Sequence, residues 1–109
     1  MRVLFDHNVP HKLRHSLPDH QISTADELGW SELENGELLT MAERAAFDVM
    51  VTGDQNLTYQ QNWTNRNLAL VVLDTNNWNV IRLDTQAVAL ALGTVSPGRI
   101  RVVTFNHVR

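Results

Sequence analysis

The sequence predicts an α/β protein in three layers, with a mainly parallel central sheet of about five strands. Short apolar segments alternate with helix-forming segments along all 109 residues, which is the pattern of a parallel sheet with helical crossovers. Residues 68–73 are apolar at every position, as expected for a strand that is buried on both faces. Several of the predicted strands end in an acidic residue, and in such a sheet these ends share one edge.

The amino-terminal half alternates strands and helices. In chain order we predict a strand over residues 2–6, a helix over 10–17, a strand over 21–24, a loop over 26–34, a helix over 35–46 and a strand over 49–52. Asn8 and Asn35 are the expected caps of the two helices, because asparagine accepts hydrogen bonds from the free amides of a first turn. Pro10 suits the start of the first helix.

The second half continues the alternation. We predict a short helix over residues 55–61, a strand over 68–73, a helix over about 85–92 and a strand over 100–105. Asp84 or Thr85 is the expected cap of the later helix, and Gly93 its stop signal. Connections between parallel strands are expected to be right-handed crossovers.

The composition describes one globular domain over residues 1–109. Hydrophobic residues make up 43% and charged residues 19%, which excludes a disordered chain. Cysteine is absent, so disulfides and thiolate metal sites are excluded. No apolar run reaches the roughly 18–20 residues of a membrane span, and we expect a cytoplasmic protein. The net charge of −3 argues against nucleic-acid binding through bulk positive charge.

Four acids are predicted to lie at one edge of the sheet. Asp6, Asp54 and Asp74 follow strands, and Glu37 lies in the first turn of a helix that starts from that edge. Taken alone, each also fits an ordinary turn or helix end. Two carboxylates about 5 Å apart repel by roughly 3 kcal/mol at an effective dielectric near 20, so a cluster calls for a cation. Oxygen ligands favour Mg²⁺ or Mn²⁺, which predicts phosphodiester hydrolysis.

Other polar residues near this edge are weaker candidates. Asn8, Asn35 and Asn56 add neutral oxygen ligands, although helix capping explains them as well. Three cations are candidate phosphate contacts and one aromatic residue could stack on bases; they are Lys12, Arg14, Arg66 and Tyr59. The alternative for the aromatic residue is a place in the core.

Three histidines offer a competing metal hypothesis. His7, His11 and His15 recur every four residues, and two of them on one helix face could bind zinc. No glutamate follows the first histidine as in a metalloprotease motif. A solvated polar face is the alternative interpretation.

Several motifs together carry a resemblance to a known family. They are Asp6-His7-Asn8-Val9-Pro10, Gly29-Trp30, Asn35-Gly36-Glu37-Leu38-Leu39, Thr52-Gly53-Asp54-Gln55-Asn56-Leu57 and Tyr59-Gln60-Gln61-Asn62. With these motifs the chain resembles the PIN-like domains, a branch of the PIN nuclease superfamily. The resemblance implies a Rossmann-like PIN fold and a ribonuclease that uses Mg²⁺ or Mn²⁺ held by Asp6, Asp54 and Glu37. Relatives include toxins of toxin–antitoxin pairs, which implies an antitoxin-like partner protein and a homodimer.

The chain also departs from the family pattern. Related PIN-like sequences often carry an aspartate where this chain has Asn35, and a further acid of the family has no counterpart. A second hypothesis is therefore a PIN-fold module without catalysis that binds RNA or a partner protein. A third is a phosphoacceptor domain of the receiver type. Receivers need adjacent acids after the first strand and a lysine after the last, whereas Asp6 stands alone and Lys12 is the only lysine.

Overall fold

The five predicted strands form one sheet in which every neighbouring pair is parallel. The computed structural model describes residues 1–55 and 66–105, apart from the side chain of Asn35. The strands are β1 (Arg2–Phe5), β2 (Gln21–Thr24), β3 (Val49–Thr52), β4 (Ala69–Leu73) and β5 (Ile100–Val103). Their order across the sheet is β2-β1-β3-β4-β5. The prediction of an α/β protein with a parallel sheet of about five strands is confirmed.

Helices connect these strands. They are a 3-10 helix (His11–Ser16), α1 (Asn35–Arg44), α2 (Trp78–Ile81) and α3 (Thr85–Thr94). The segment after β1, predicted as an ordinary helix, is thus the tighter 3-10 form, and α2 was not predicted. Of the helix predicted over residues 55–61, only Gln55 lies within the described residues, and it is in a turn. No helix in the described parts is long and apolar enough to cross a membrane.

The sheet separates two apolar layers. Every residue of β3 and β4 is buried, and alternate side chains enter opposite layers. One layer packs β-strand residues such as Leu4 and Met50 against α1. The other packs residues such as Val3 and Val51 against the 3-10 helix, α2 and α3. The arrangement is consistent with a three-layer Rossmann-like fold.

The connections across the sheet are not all of one hand. The chain passes from β1 to β2 through the 3-10 helix and from β4 to β5 through α2 and α3, and all three helices pack in the same layer. The two connections run in opposite directions across the strand order. When the connecting helices lie on the same face of a parallel sheet, every right-handed crossover moves in the same direction along the strand order. The prediction of right-handed crossovers is therefore wrong for one of these two connections.

Two predicted helix ends also differ from the structure. Glu34, not Asn35, caps α1, because the Glu34 side chain accepts from the backbone of Glu37 while the Glu37 side chain accepts from the Glu34 amide at 3.4 Å. Asp84 caps α3 as predicted, and its carboxylate accepts from the Ala87 amide at 3.3 Å. The predicted stop at Gly93 is wrong, since α3 continues through it to Thr94.

The carboxyl end of α1 contains a residue in an unusual conformation. Ala46 has a φ of 62°, in the left-handed region that glycine normally occupies at this position. Its amide donates to the carbonyl of Glu43 at 3.1 Å, and the Phe47 amide donates to the carbonyl of Ala42 at 3.0 Å. This pair of bonds is a Schellman motif, and it turns the chain from α1 into β3.

Candidate functional site

The strand order creates a switch point between β1 and β3. From β1 the chain crosses to β2 on one side, whereas β3 lies on the other side of β1. In open α/β sheets, ligands bind beyond the carboxyl ends of the strands at such a point. We call the two segments that meet there, residues 6–8 after β1 and residues 52–54 at the end of β3, the switch-point loops. They contain two of the predicted acids, Asp6 and Asp54.

Asp6 is the buried acid of this site. It is 1% exposed, and its amide donates to the Val51 carbonyl at 2.9 Å, which continues the pairing of β1 with β3. Its Oδ1 accepts from the His7 amide at 2.8 Å and lies 2.9 Å from His7 Nδ1. Its Oδ2 accepts from the Thr52 hydroxyl at 2.8 Å. Both carboxylate oxygens are therefore held in place by protein groups.

Thr52 joins Asp6 to the chain around Asp54. The threonine is fully buried, and while its hydroxyl donates to Asp6, it accepts from the Asp54 amide at 3.0 Å. One hydroxyl oxygen thus separates the Asp6 carboxylate from the Asp54 main chain. The structure brings together the two segments that the sequence predicted to meet, and the link between them is a residue that was not predicted to take part.

Asn8 has a different role from the one predicted. Its side-chain Oδ1 accepts from the Gly53 amide at 2.9 Å, so it ties one switch-point loop to the other. The residue at the cap position of the 3-10 helix is Pro10, and no side chain makes a capping hydrogen bond there. The prediction that Asn8 caps this helix is wrong. A Cβ added at Gly53 would lie 3.5 Å from the Asn8 oxygen and from the Cβ of Asn76, which shows how closely these loops approach.

Asp74 extends the polar edge to the next strand. Its Oδ1 accepts from the Phe105 amide at 3.1 Å, and its amide donates to the Val103 carbonyl at 3.1 Å. Its carbonyl accepts from the Gln55 side chain at 3.2 Å. Asp74 therefore joins the end of β4 to the segment that follows β5 and to the segment that follows β3.

Glu37 is exposed on the outer side of α1. Besides closing the capping box with Glu34, it lines a groove on α1 together with Leu33, Met41 and Arg44. Its ordinary helix-end role is therefore present in the structure. Its proposed role as a third metal ligand stays a prediction.

The three cations that were predicted to contact phosphate lie in different environments. Arg14 donates to both carboxylate oxygens of Glu27 at 2.8 Å and to the Ile22 carbonyl at 2.8 Å. The hydrogen bond from Arg14, and next the one from the Thr24 amide, lower the pKa of Glu27 to about 2, while Glu27 raises the pKa of Arg14. Arg66 pairs with Glu43, and Lys12 is exposed.

His11 and His15 do not share a helix face, as the competing zinc hypothesis would require. His11 and His15 lie in a 3-10 helix, where residues eclipse at a spacing of three, so a spacing of four turns them to different sides. His11 lies 3.8 Å from Asp26, and His7 pairs with Asp6. Within residues 1–55 and 66–105, no three histidine, aspartate or glutamate side chains are grouped closely enough to hold one metal ion.

Three of the predicted site groups lie outside the part of the chain that the structure describes. These are Asn56, Tyr59 and the side chain of Asn35. In contrast, two residues of the site were not assigned their roles from the sequence, namely Thr52 and His7. The sequence carries no signal for the role of Thr52, because this residue faces Asp6 only through the register of β1 with β3. For His7 the only signal is its position next to Asp6.

Comparison of the chain with protein-family models, with curated proteins and with solved structures finds no match. Conclusions about function therefore rest on the geometry of the switch-point loops and on the chemistry of their side chains.

Proposed function

We propose that the protein is a ribonuclease of the PIN-like type that uses Mg²⁺ or Mn²⁺ held at the switch-point loops. The observation that supports this best is the position of Asp6, a carboxylate buried at the end of a central strand and linked through Thr52 to the chain at Asp54. Positions beyond the carboxyl ends of central strands at a switch point are where open α/β proteins bind ligands.

The donor groups suit a small hard cation. Mg²⁺ is usually bound in proteins by one or two carboxylates together with several waters, and Asp6 and Asp54 supply that number. His7 is 54% exposed, so its imidazole can turn away from Asp6 Oδ1 without loss of core packing. Thr52 would keep its bond to Oδ2 during this change. Glu37, the third acid that the resemblance implies, is not grouped with these two within the described residues, so the proposal rests on Asp6 and Asp54.

The residues have separate roles in this proposal. Asp6 and Asp54 would hold the ion, and the chemistry it would supply is a water-derived nucleophile and stabilisation of charge on the phosphate. Thr52 fixes the orientation of the Asp6 carboxylate, and Asn8 holds the Gly53 amide so that the second loop keeps its place. Lys12, exposed on the 3-10 helix, is the proposed phosphate contact.

Cleavage of a labelled single-stranded RNA tests the proposal. We expect cleavage with Mg²⁺ or Mn²⁺, none with EDTA, and a loss of at least about 100-fold in Asp6→Asn and Asp54→Asn because each removes a charge from the ion site. The matched control is Asp19→Asn, which neutralises an exposed acid outside the switch-point loops and should keep full activity. Undiminished cleavage in EDTA, or by both loop variants, would refute the proposal.

One observation favours a second candidate, a PIN-fold module that binds RNA or a partner protein without cleaving RNA. Both oxygens of Asp6 already have protein partners, and the residue is 1% exposed, so the carboxylate is satisfied without an ion. Titration with Mn²⁺ by calorimetry separates the two candidates. The ribonuclease should give binding heat that Asp6→Asn abolishes, whereas the module should give RNA binding but no such heat.

The toxin assignment is a further part of the first proposal. A toxin ribonuclease should stop the growth of bacteria that express it, and the Asp6→Asn variant should not. Growth arrest that is equal for both would separate toxicity from the proposed site. A partner of antitoxin type would be expected to relieve the arrest by covering the switch-point loops.

A further inference from the structure

The two edges of the sheet differ in how their backbone groups are covered. Among the described strands, β2 and β5 are the outermost. The outer side of an edge strand presents N–H and C=O groups that no neighbouring strand pairs with, and an extended chain can bind to them. The hydrogen bonds of each edge strand therefore show which edge can accept a partner.

The edge at β2 is closed by side chains and by the turn that follows the strand. Its residues bond alternately towards β1 and away from it. On the side away from β1, the Ile22 carbonyl accepts from Arg14 at 2.8 Å and the Thr24 amide donates to Glu27 at 2.9 Å. The Thr24 carbonyl accepts from the Leu28 amide at 3.3 Å. A further strand could pair with β2 only if it displaced these groups.

The edge at β5 has no such cover from the described residues. The carbonyls of Arg99 and Val103 accept from the amides of residues 70 and 74, at 3.0 and 3.1 Å. The backbone groups of Ile100 and Val102 therefore point away from β4. Within residues 1–55 and 66–105, no group forms a hydrogen bond with them. Val102 is also 52% exposed, so the outer side of β5 is accessible.

The open edge carries positive charge. Arg99 and Arg101 are both exposed, and a spacing of two places them on the same side of the strand. They line a groove together with Thr94 and Ser96, and the sequence contains no acidic residue after Asp84. Like charges opposite one another are destabilising in a sheet. The arginines therefore oppose pairing of β5 with a second copy of itself and favour an acidic partner.

We propose that β5 binds an extended acidic segment of another protein, which adds to the sheet as a further strand. In binding of this kind, main-chain hydrogen bonds supply affinity and the side chains at alternate positions supply specificity. The Ile100 and Val102 backbone groups are the donors and acceptors for that segment. This inference does not depend on the proposed ribonuclease activity, because β4 separates β5 from the switch-point loops.

The two faces of β5 define the sequence of the partner. Val103 packs in the layer that contains α3, so Arg99 and Arg101, at alternate positions before it, lie on that face. Acidic side chains of the segment would face them. The residues in between would lie on the opposite face, beside the exposed side chain of Val102, and would be apolar. The expected ligand thus alternates acidic and apolar residues.

Fluorescence anisotropy with a labelled peptide tests the proposal. The probe is a peptide of about seven residues, a common strand length, in which glutamate and valine alternate. We expect saturable binding to the full chain. The same peptide with N-methylated backbone amides keeps its charges but cannot donate to a strand, so it should bind at least about 10-fold more weakly.

Variants of the protein separate the contributions of charge and backbone. Arg99→Glu combined with Arg101→Glu should weaken binding at least about 10-fold, because it replaces attraction by repulsion. Val102→Pro removes an outward N–H at a place where an edge strand tolerates proline, and it should also weaken binding. The control is Arg82→Glu, which reverses an exposed charge before α3, at the opposite end of that helix from Thr94, and should bind normally. Circular dichroism of each variant checks that it is folded.

Amide hydrogen exchange measured by NMR gives a second readout at the strand itself. In the free protein, the amides of Ile100 and Val102 should exchange faster than that of Arg101, which faces β4. Addition of the alternating peptide should slow the exchange of these two amides. Absence of peptide binding, equal binding of the N-methylated peptide, or unchanged exchange at both amides would overturn the proposal. Tighter binding of a labelled oligouridylate that requires the same two arginines would also overturn it and assign the edge to nucleic acid.

Discussion

Replacing Thr52 by valine tests whether one hydroxyl holds the switch-point loops together. Valine keeps the shape of threonine and removes only the hydroxyl. That hydroxyl donates to the buried carboxylate of Asp6 at 2.8 Å and accepts from the Asp54 amide at 3.0 Å. The substitution therefore removes two bonds at a residue that is fully buried.

The expected loss of stability follows from these two bonds. A hydrogen bond to a charged group contributes about 1.5–3 kcal/mol, and a bond between neutral groups about 1 kcal/mol. Removal of the hydroxyl leaves one oxygen of Asp6 buried without this donor, which brings the expected decrease in the free energy of unfolding to about 2–4 kcal/mol. For a domain of this length, the midpoint of thermal unfolding should fall by roughly 10 °C.

Urea unfolding at neutral pH measures this decrease, with Thr52→Ser as the matched control. Serine keeps the hydroxyl and loses one methyl group, so it should cost only about 1 kcal/mol. A double-mutant cycle with Asp6→Ala isolates the pair, because Thr52→Val should cost less once its acceptor is gone. If Thr52→Val is as stable as Thr52→Ser, or if the cycle shows no coupling, the hydroxyl does not hold this site together.

Three further variants test other features of the structure. Ala46→Gly should stabilise the protein by about 0.5–1 kcal/mol, because glycine relieves the left-handed conformation, whereas Ala45→Gly should destabilise it; urea midpoints that do not separate the two would contradict this. Glu27→Gln should be less stable than the wild type at pH 6. Since the pKa of Glu27 is lowered from 4.5 to about 2, this difference in the free energy of unfolding should shrink as the pH falls below 4.5 and be lost below pH 2; a difference independent of pH would refute the pairing with Arg14. Gly93→Ala should stabilise by about 0.5–1 kcal/mol, because the glycine lies inside α3 with nothing within 4 Å of an added Cβ; a lower melting temperature would contradict this.

The strands could be predicted because their apolar residue types indicate that they are buried. Every residue of β4 is apolar and buried, and an apolar run this short is typical of a strand that is covered on both faces, because helices are usually longer. The segment after β1 was harder to predict. Its apolar residues Val9, Leu13 and Leu17 are spaced by four, as in an ordinary helix, yet the short connection to β2 takes the 3-10 form.

The helix ends show how local preference yields to context. Asparagine is a far more common cap than glutamate, so the sequence favoured Asn35, but Glu34 and Glu37 form a reciprocal pair one position earlier. Glycine commonly follows the last residue of a helix, so the sequence favoured an end at Gly93. Ala91 and Leu92 are buried beside it, however, and α3 continues to Thr94.

The meeting of Asp6 with Thr52 depends on which strand lies beside β1. Phe5 pairs with Val51, and this register places the next residue of each strand side by side. Sequence shows that both strands end in polar residues, but their adjacency is decided by the order β2-β1-β3. The contact between His7 and Asp6 could not be predicted from the sequence either, although the two residues are adjacent, because it depends on the rotamers of their side chains.

The position of β1 has a consequence for synthesis of the chain on the ribosome. Val3 pairs with Ile22 on one side and with Val49 on the other, so the earliest of these five strands to emerge is an interior one. Its second neighbour leaves the exit tunnel only after α1 has been made. Until then β1 is paired with β2 only, and its other edge is accessible to chaperones. Contacts between residues this distant in sequence form slowly. Newly made amino-terminal fragments that end before β3 are therefore expected to be prime targets for holdases and proteases.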